Sequence, residues 1–178
     1  MSSSGSLVCL PEGTPLDDAQ KLATDSSVVH HDSGLPADAK MGCSFQGLTC
    51  ATSVGSIVCN SLCFVTCTEA LSQPAAEARC VAWGGHLASI LSAADETCLH
   101  NAHPQAAWIG QTQAANQATT AAGWTWIAGQ AVSYTNWTNG QPDDGDTVEN
   151  NAENCAYKST SNVWLDEPCT ALYGFACR

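Results

Sequence analysis

Apolar and polar positions change rhythm several times along this chain. Cys59, Cys63 and Cys67 recur every four residues, a helical spacing, yet Phe64-Val65-Thr66 among them is aromatic and β-branched and predicts a strand. From Pro74 the chain turns to alanine, glutamate and arginine as far as Trp83 and then meets Gly84-Gly85. Proline in the first turn and glycine past the last predict a helix of about ten residues. A second helix is predicted after Ser92, which serves as N-cap, with Asp95 or Glu96 in its first turn and Cys98 and Leu99 along it. Thereafter the apolar runs shorten. Ala106–Gly110 reads as a buried strand, and Gly123-Trp-Thr-Trp126 alternates as a half-buried strand should. Cys155–Tyr157, Val163–Leu165 and Gly174–Cys177 read as further short strands. Two helices followed by many short strands predict an α+β domain.

The connections are polar. Gln111–Ala122 is a loop rich in alanine and threonine, Ala128-Gly-Gln130 a turn, and Tyr134–Trp137 leads into a long acidic loop. Asn136-Trp137-Thr138 has the form of an N-glycosylation acceptor, although Trp137 is expected to be buried. Residues 1–61 differ from the remainder: Phe45 is their only aromatic residue, Leu10–Pro15 is a turn-forming cluster, and cysteines stand at 9, 43, 50 and 59. Such a segment cannot bury enough apolar surface alone, so it is expected to be loop-rich, stapled by disulfides and packed on a main domain of residues 62–178. Asp17–Leu22 is expected to form a short helix. The two histidines of His30-His31-Asp32 would not face the same way on a helix or a strand, which favours a surface turn over a metal site.

Composition narrows the partners. A formal charge of -12, with only 5 Lys and Arg, argues against nucleic acid and anionic membranes, whose phosphates call for basic side chains. Eleven cysteines with no Cys-x-x-Cys pair indicate a disulfide framework made in an oxidising compartment, hence a secreted protein. The odd number leaves at least one thiol free or bound elsewhere. Met1–Ser6 has no basic segment leading into an apolar signal run, so the chain is expected to be numbered without its signal. No apolar run approaches the roughly 20 residues that span a bilayer.

The chemistry concentrates between Asn139 and Glu167. Gln141, Asp143, Asp144, Asp146, Glu149, Glu153, Asp166 and Glu167 supply oxygens, with Lys158 the only base among them. Carboxylates this dense repel one another unless solvent or a cation intervenes. Mixed carboxylate and amide oxygens suit a hard ion such as Ca²⁺, which takes about six to eight oxygens at roughly 2.3–2.6 Å. A solvated acidic loop without an ion accounts for the same composition. No Ser–His or Cys–His constellation accompanies the loop, and His100 and His103 fall on or just after the second helix. The chain is therefore not read as an enzyme.

Residues 62–178 resemble the C-type lectin-like domain family over essentially their whole length. The resemblance rests on Trp83-Gly-Gly-His-Leu-Ala-Ser-Ile90, Trp108-Ile-Gly110, Trp124-Thr-Trp126, Gln141-Pro-Asp143, Glu153-Asn-Cys155, Trp164-Leu-Asp166 and the cysteines at 80, 155, 169 and 177. It implies an α+β fold of two helices with small antiparallel sheets and a long calcium-binding loop. It further implies disulfides Cys80–Cys177 and Cys155–Cys169, a framework role for His86, and an early cysteine pair drawing on Cys63 or Cys59. Gln141, Asp143, Glu153 and Asp166 match the positions of the family's calcium ligands, where two adjacent sugar hydroxyls complete the coordination. Gln before Pro142 and Asp after it resembles the galactose-type members. The implied function is secreted, calcium-dependent binding of a glycan with vicinal hydroxyls. The alternative on the same fold is protein interaction or ice binding. A homo-oligomer would suit weak single sites, through multivalency. Two positions depart from the sugar-binding pattern. Leu165 stands where sugar-binding members carry asparagine, and Asp144–Asn154 lacks the aromatic ring that galactose-type sites stack on a sugar face.

Overall fold

A computed structural model of the chain describes residues 43–178. The short helix expected at Asp17–Leu22 and the His30-His31-Asp32 turn lie outside the described residues. Within them, strands β1 (Val54–Cys59) and β2 (Leu62–Leu71) form an antiparallel hairpin in register from Val54 opposite Cys67 to Cys59 opposite Leu62. Asn60 and Ser61 close it with φ of 49° and 67°, the left-handed pair that a two-residue hairpin turn demands. Val54–Cys59 is thus a regular strand inside the segment expected to be loop-rich.

Helix α1 (Gln73–Trp83) follows, with proline in its first turn and Gly84 at φ 112° donating its N–H to the carbonyls of Cys80 and Val81. Helix α2 (Ala93–Ala102) begins where the Ser92 hydroxyl accepts from the Asp95 N–H at 3.1 Å. The remaining strands are β3 (Ala107–Gln113), β4 (Trp124–Trp126), β5 (Cys155–Lys158), β6 (Trp164–Glu167) and β7 (Tyr173–Cys177). They join the hairpin in one 7-stranded sheet ordered β1-β2-β7-β3-β5-β6, with β4 on β3. The sheet is mixed, because β7 runs parallel to β3 while its other neighbour, β2, is antiparallel. Strand β3 reaches into the stretch expected to be loop. Gln113 is buried there, and its Nε2 donates to the carbonyls of Thr119, Thr120 and Ala122, which organises the turns that follow.

Two apolar clusters flank the sheet. One gathers Phe64, Ile90, Leu99, Ile109, Trp126 and Trp164, the other Ala76, Cys80, Leu87, Trp108 and Phe175. Trp164 is the hub of the first, meeting the rings of Trp126, Tyr134 and Trp137 edge-on at 5.6–5.8 Å. Disulfides join Cys80 to Cys177 and Cys155 to Cys169. The pair at the open end of the hairpin is Cys50–Cys67, and Cys59 at its tip crosses to Cys98 on α2. Of the two cysteines expected to serve an early pair, Cys59 thus bridges to α2 and Cys63 is in none of these four disulfides. His86 ties the framework together: its Nδ1 lies 2.6 Å from Glu77, whose other oxygen accepts from the Leu87 N–H. The amide of Asn136 donates to the Asn162 carbonyl at 2.6 Å, so the glycosylation acceptor is engaged inside the fold.

A buried polar cluster lies under α2. Glu96 accepts from the Trp164 indole at 2.6 Å, and Lys158 donates to the Gln105 and Ser159 carbonyls. Burial pushes the Glu96 carboxyl up to about 7, against the opposing pull of the Trp164 hydrogen bond and the Lys158 charge. Burial likewise brings Lys158 down to about 8 and, helped by Lys158, His103 down to about 4. A carboxyl whose folded pKa is raised contributes its stability fully below the unfolded value, and that contribution is lost as pH climbs through the folded one. Glu96→Gln keeps an acceptor for Trp164 and removes this loss. Urea denaturation at several pH values should show the variant gaining on the parent as pH rises from about 4.5 to 7, by roughly 3 kcal/mol. His103 tilts both proteins the other way below about 6.5, equally, so it cancels in the difference.

Candidate functional site

The acidic loop is anchored at both ends. At its start the chain runs parallel to β6: the Trp164 N–H donates to the Asn136 carbonyl at 2.8 Å, and Thr138 N–H to the Trp164 carbonyl at 3.0 Å. That pairing carries Gln141 and Asp143 alongside Asp166. At its end, Glu153 stands two residues before Cys155, which opens β5 and is bridged to Cys169. Between the anchors the Gln141–Pro142 peptide bond is cis.

The four predicted ligand residues converge. One carboxylate oxygen from each of Asp143, Glu153 and Asp166 lies within 4.8 Å of the other two. Gln141 Oε1 accepts from the Asp166 backbone N–H at 3.2 Å, which keeps the amide oxygen beside the group. Oxygens on opposite sides of a calcium ion at about 2.4 Å are about 4.8 Å apart, so the three carboxylates fit one coordination sphere. Their electrostatics agree. Burial first, then the charges of Asp166, Glu167, Asp143 and Asp144, push the Glu153 carboxyl up to about 7. Burial also raises Asp166, although the N–H groups of Asp144 and Asp143 donate to it and oppose the shift. The donor set is hard oxygen throughout, carries net negative charge, and suits calcium better than a thiophilic ion.

Other acidic residues of the stretch have different duties. Asp144 is 1 % exposed, and its carboxylate accepts from the backbone N–H groups of Asn150 and Glu153. It holds the loop closed and places Glu153, a role not distinguished from ligation in the sequence. The available signal was Asp144-Gly145, two successive left-handed residues at φ 53° and 82°, in a type of sequence where aspartate commonly bonds its own backbone. Asp144→Asn should leave one of the two N–H groups poorly matched. A loss of about 1–2 kcal/mol in urea denaturation is expected, because Glu153 is no longer held. Asp146 and Glu149 cap the loop's own turns, accepting from the N–H groups of Val148 and Asn151. Lys158 is not part of the acidic group: it points to the other side of β5, into the cluster with Gln105 and His100. Leu165 is half-buried and pairs across the sheet with Tyr157, which stacks on Tyr173 at 4.4 Å.

Residues 69–178 match the lectin C-type domain family. The chain is 31% identical over 118 residues to a type-2 ice-structuring protein of Brachyopsis segaliensis, a match spanning 65% of this chain and 64% of that protein. The chain thus spans just under two thirds of the length of the type-2 ice-structuring proteins it matches. Among solved structures, a calcium-independent type II antifreeze protein superposes with a TM-score of 0.58 at 27% identity, over 76% of this chain and 93% of the other. The cow C-type carbohydrate-recognition domain of CD23, in the presence of a GlcNAc2Man3 oligosaccharide, gives 0.56 at 26% identity, over 65% of this chain and 84% of the other. With a matching domain over most of its length and this fold, the chain belongs to the C-type lectin domain family. Among the described residues no helix is long and apolar enough to cross a membrane.

Proposed function

We propose that the chain is a secreted, calcium-dependent binding module for a glycan bearing vicinal hydroxyls, with galactose-type preference. The observation that carries this reading is the convergence of Asp143, Glu153 and Asp166 within one coordination sphere, beside the Gln141 amide oxygen. Calcium would be held by these four residues and would supply coordination sites for two sugar hydroxyls, while the ligand oxygens accept the hydroxyl protons. The test is chromatography on immobilised galactose: retention in calcium, reversed by EDTA, supports the reading. A broad glycan array with no signal in calcium would remove the sugar from it.

Leu165 sets an expected limit on affinity. It offers neither an oxygen to the ion nor an N–H to the sugar. Leu165→Asn should restore one hydrogen bond to a charged group, roughly 1.5–3 kcal/mol, and tighten calcium binding about tenfold in calorimetric titration. Unchanged affinity would mean that position 165 does not face the ion.

A second reading, ice binding, is supported by the similarity to type II antifreeze proteins together with the exposed, uncharged surface around Ala118, Thr119 and Ala121. Thermal hysteresis in a purified sample separates the two readings, and its dependence on calcium would tell whether the acidic loop takes part.

A further inference from the structure

Ten of the chain's eleven cysteines fall among the described residues, and eight of them form the four disulfides above. The other two are Cys43 and Cys63. They are not scattered. Cys63 stands on β2 directly opposite Val58, while Phe64, the next residue, stands opposite Ile57. The Cys43 sulfur lies 2.6 Å from the Ile57 carbonyl oxygen, on the neighbouring rung of the same ladder. Phe64 is fully buried, so strand alternation turns Cys63 to the opposite face, where its partner Val58 is half exposed. Both thiols are half-buried rather than sealed in the core. From this placement we infer that Cys43 and Cys63 form a fifth disulfide, which ties the start of the described chain to strand β2.

The chemistry of the pair favours a structural bridge over a metal site or a reactive thiol. Burial first, and then hydrogen bonding and charge contact with the Cys43 sulfur, push the Cys63 thiol up to about 12. A thiol so reluctant to ionise once buried is a poor metal ligand, and the exchange that forms the bridge runs through the thiolate before burial has raised it. No histidine or carboxylate joins the two sulfurs in a metal-binding group among the described residues. Bridging requires an oxidant, here a disulfide such as oxidised glutathione in the secretory compartment. The two S–H bonds give up two protons and two electrons, one S–S bond forms, and the reagent is reduced to two thiols.

The bridge would also interlock with its neighbour. Cys50 lies between Cys43 and Cys63, whereas Cys67 lies beyond them, so the Cys43–Cys63 and Cys50–Cys67 loops overlap. The strap from Cys43 to Cys50, with Leu48 packed on the second core cluster, would then be fastened at both ends to β2.

Peptide mapping of the full chain, secreted and never reduced, tests this. The protein is alkylated with iodoacetamide in denaturant without reductant and then digested. Trypsin would leave Met41–Arg79 in one piece with five cysteines, so a protease cutting at Leu48, Ile57, Leu62 and Phe64 is needed. The expected result is a pair of peptides joined through Cys43 and Cys63, with no carbamidomethyl group on either. Alkylation of both residues, or a link from either one to Cys9 or to another chain, would overturn the inference. Cys43→Ser gives a second readout. If the bridge exists, Cys63 goes from unlabelled to fully labelled in the variant. If it does not, Cys63 is labelled equally in both proteins.

Discussion

Asp143→Ala is expected to abolish saturable calcium binding at millimolar concentration while leaving the chain folded. The side chain sits at the mouth of the loop and makes one local bond, accepting from the Gly145 N–H at 3.1 Å, so little packing depends on it. Its contribution to the acidic group is far larger. It is one of three carboxylates that share a sphere 4.8 Å across, and calcium affinity follows the number of charged ligands over several decades. A fall of about 100-fold or more is therefore expected. The ion-free protein should not suffer, because Asp143 is among the charges that disfavour ionised Glu153, and its removal relieves that repulsion. Two measurements check both halves. Calorimetric titration of calcium should lose its heat in the variant. A ligand at about 100 times its Kd stabilises by about 2.7 kcal/mol, so the calcium-induced rise in melting temperature expected for the parent should be absent from the variant. A variant that kept its heat of binding would place the ion elsewhere and leave the acidic loop a solvated one.

Much of this arrangement was legible in the sequence where a local rule decides the outcome. Pro74 and Gly84 bound α1, and Ser92 opens α2, because caps act within a few residues. Gln141, Asp143, Glu153 and Asp166 could be picked out through the resemblance, and the structure brings them together. What escaped depends on contacts distant in sequence. The parallel pairing of β3 with β7 joins segments more than sixty residues apart, and nothing in either strand states its partner. Lys158 looked like the base of the acidic stretch, yet strand alternation places it with Ala156 on the inner face, over Glu96 and the α2 histidines. The connectivity of Cys50, Cys59, Cys67 and Cys98 follows from the hairpin register and from where α2 packs, neither of which spacing encodes. Asp144 differs from its neighbour Asp143 in being buried and in accepting from the Asn150 and Glu153 N–H groups, contacts that a local reading of the sequence does not encode.

Removing the Cys80–Cys177 bridge should cost more stability than removing Cys155–Cys169, yet weaken calcium binding less. The first disulfide spans 97 residues and fastens the buried Cys80, near the C-terminal end of α1, to the end of β7; the second spans 14. On a chain-entropy account the long loop contributes about 4–5 kcal/mol and the short one about 3. The paired substitution Cys80→Ala with Cys177→Ala should then lower the thermal midpoint by about 10–20 °C, at roughly 2–4 °C per kcal/mol for a domain of this size. Its effect falls mainly on the unfolded chain, so molecules that remain folded should bind calcium as the parent does. Cys155 and Cys169 behave otherwise because of where they stand: Cys155 opens β5 two residues after Glu153, and Glu167 pairs with it across β6. Replacing them by alanine frees the end of the strand that aims Glu153 at Asp143 and Asp166. Calcium affinity should fall about tenfold, the scale on which supporting contacts tune a metal site. Urea denaturation in EDTA, run beside calcium titration of each variant, separates the two effects. Equal losses of stability, or a drop in affinity confined to the Cys80–Cys177 variant, would show that the loop is held by the core as a whole and not by its own short bridge.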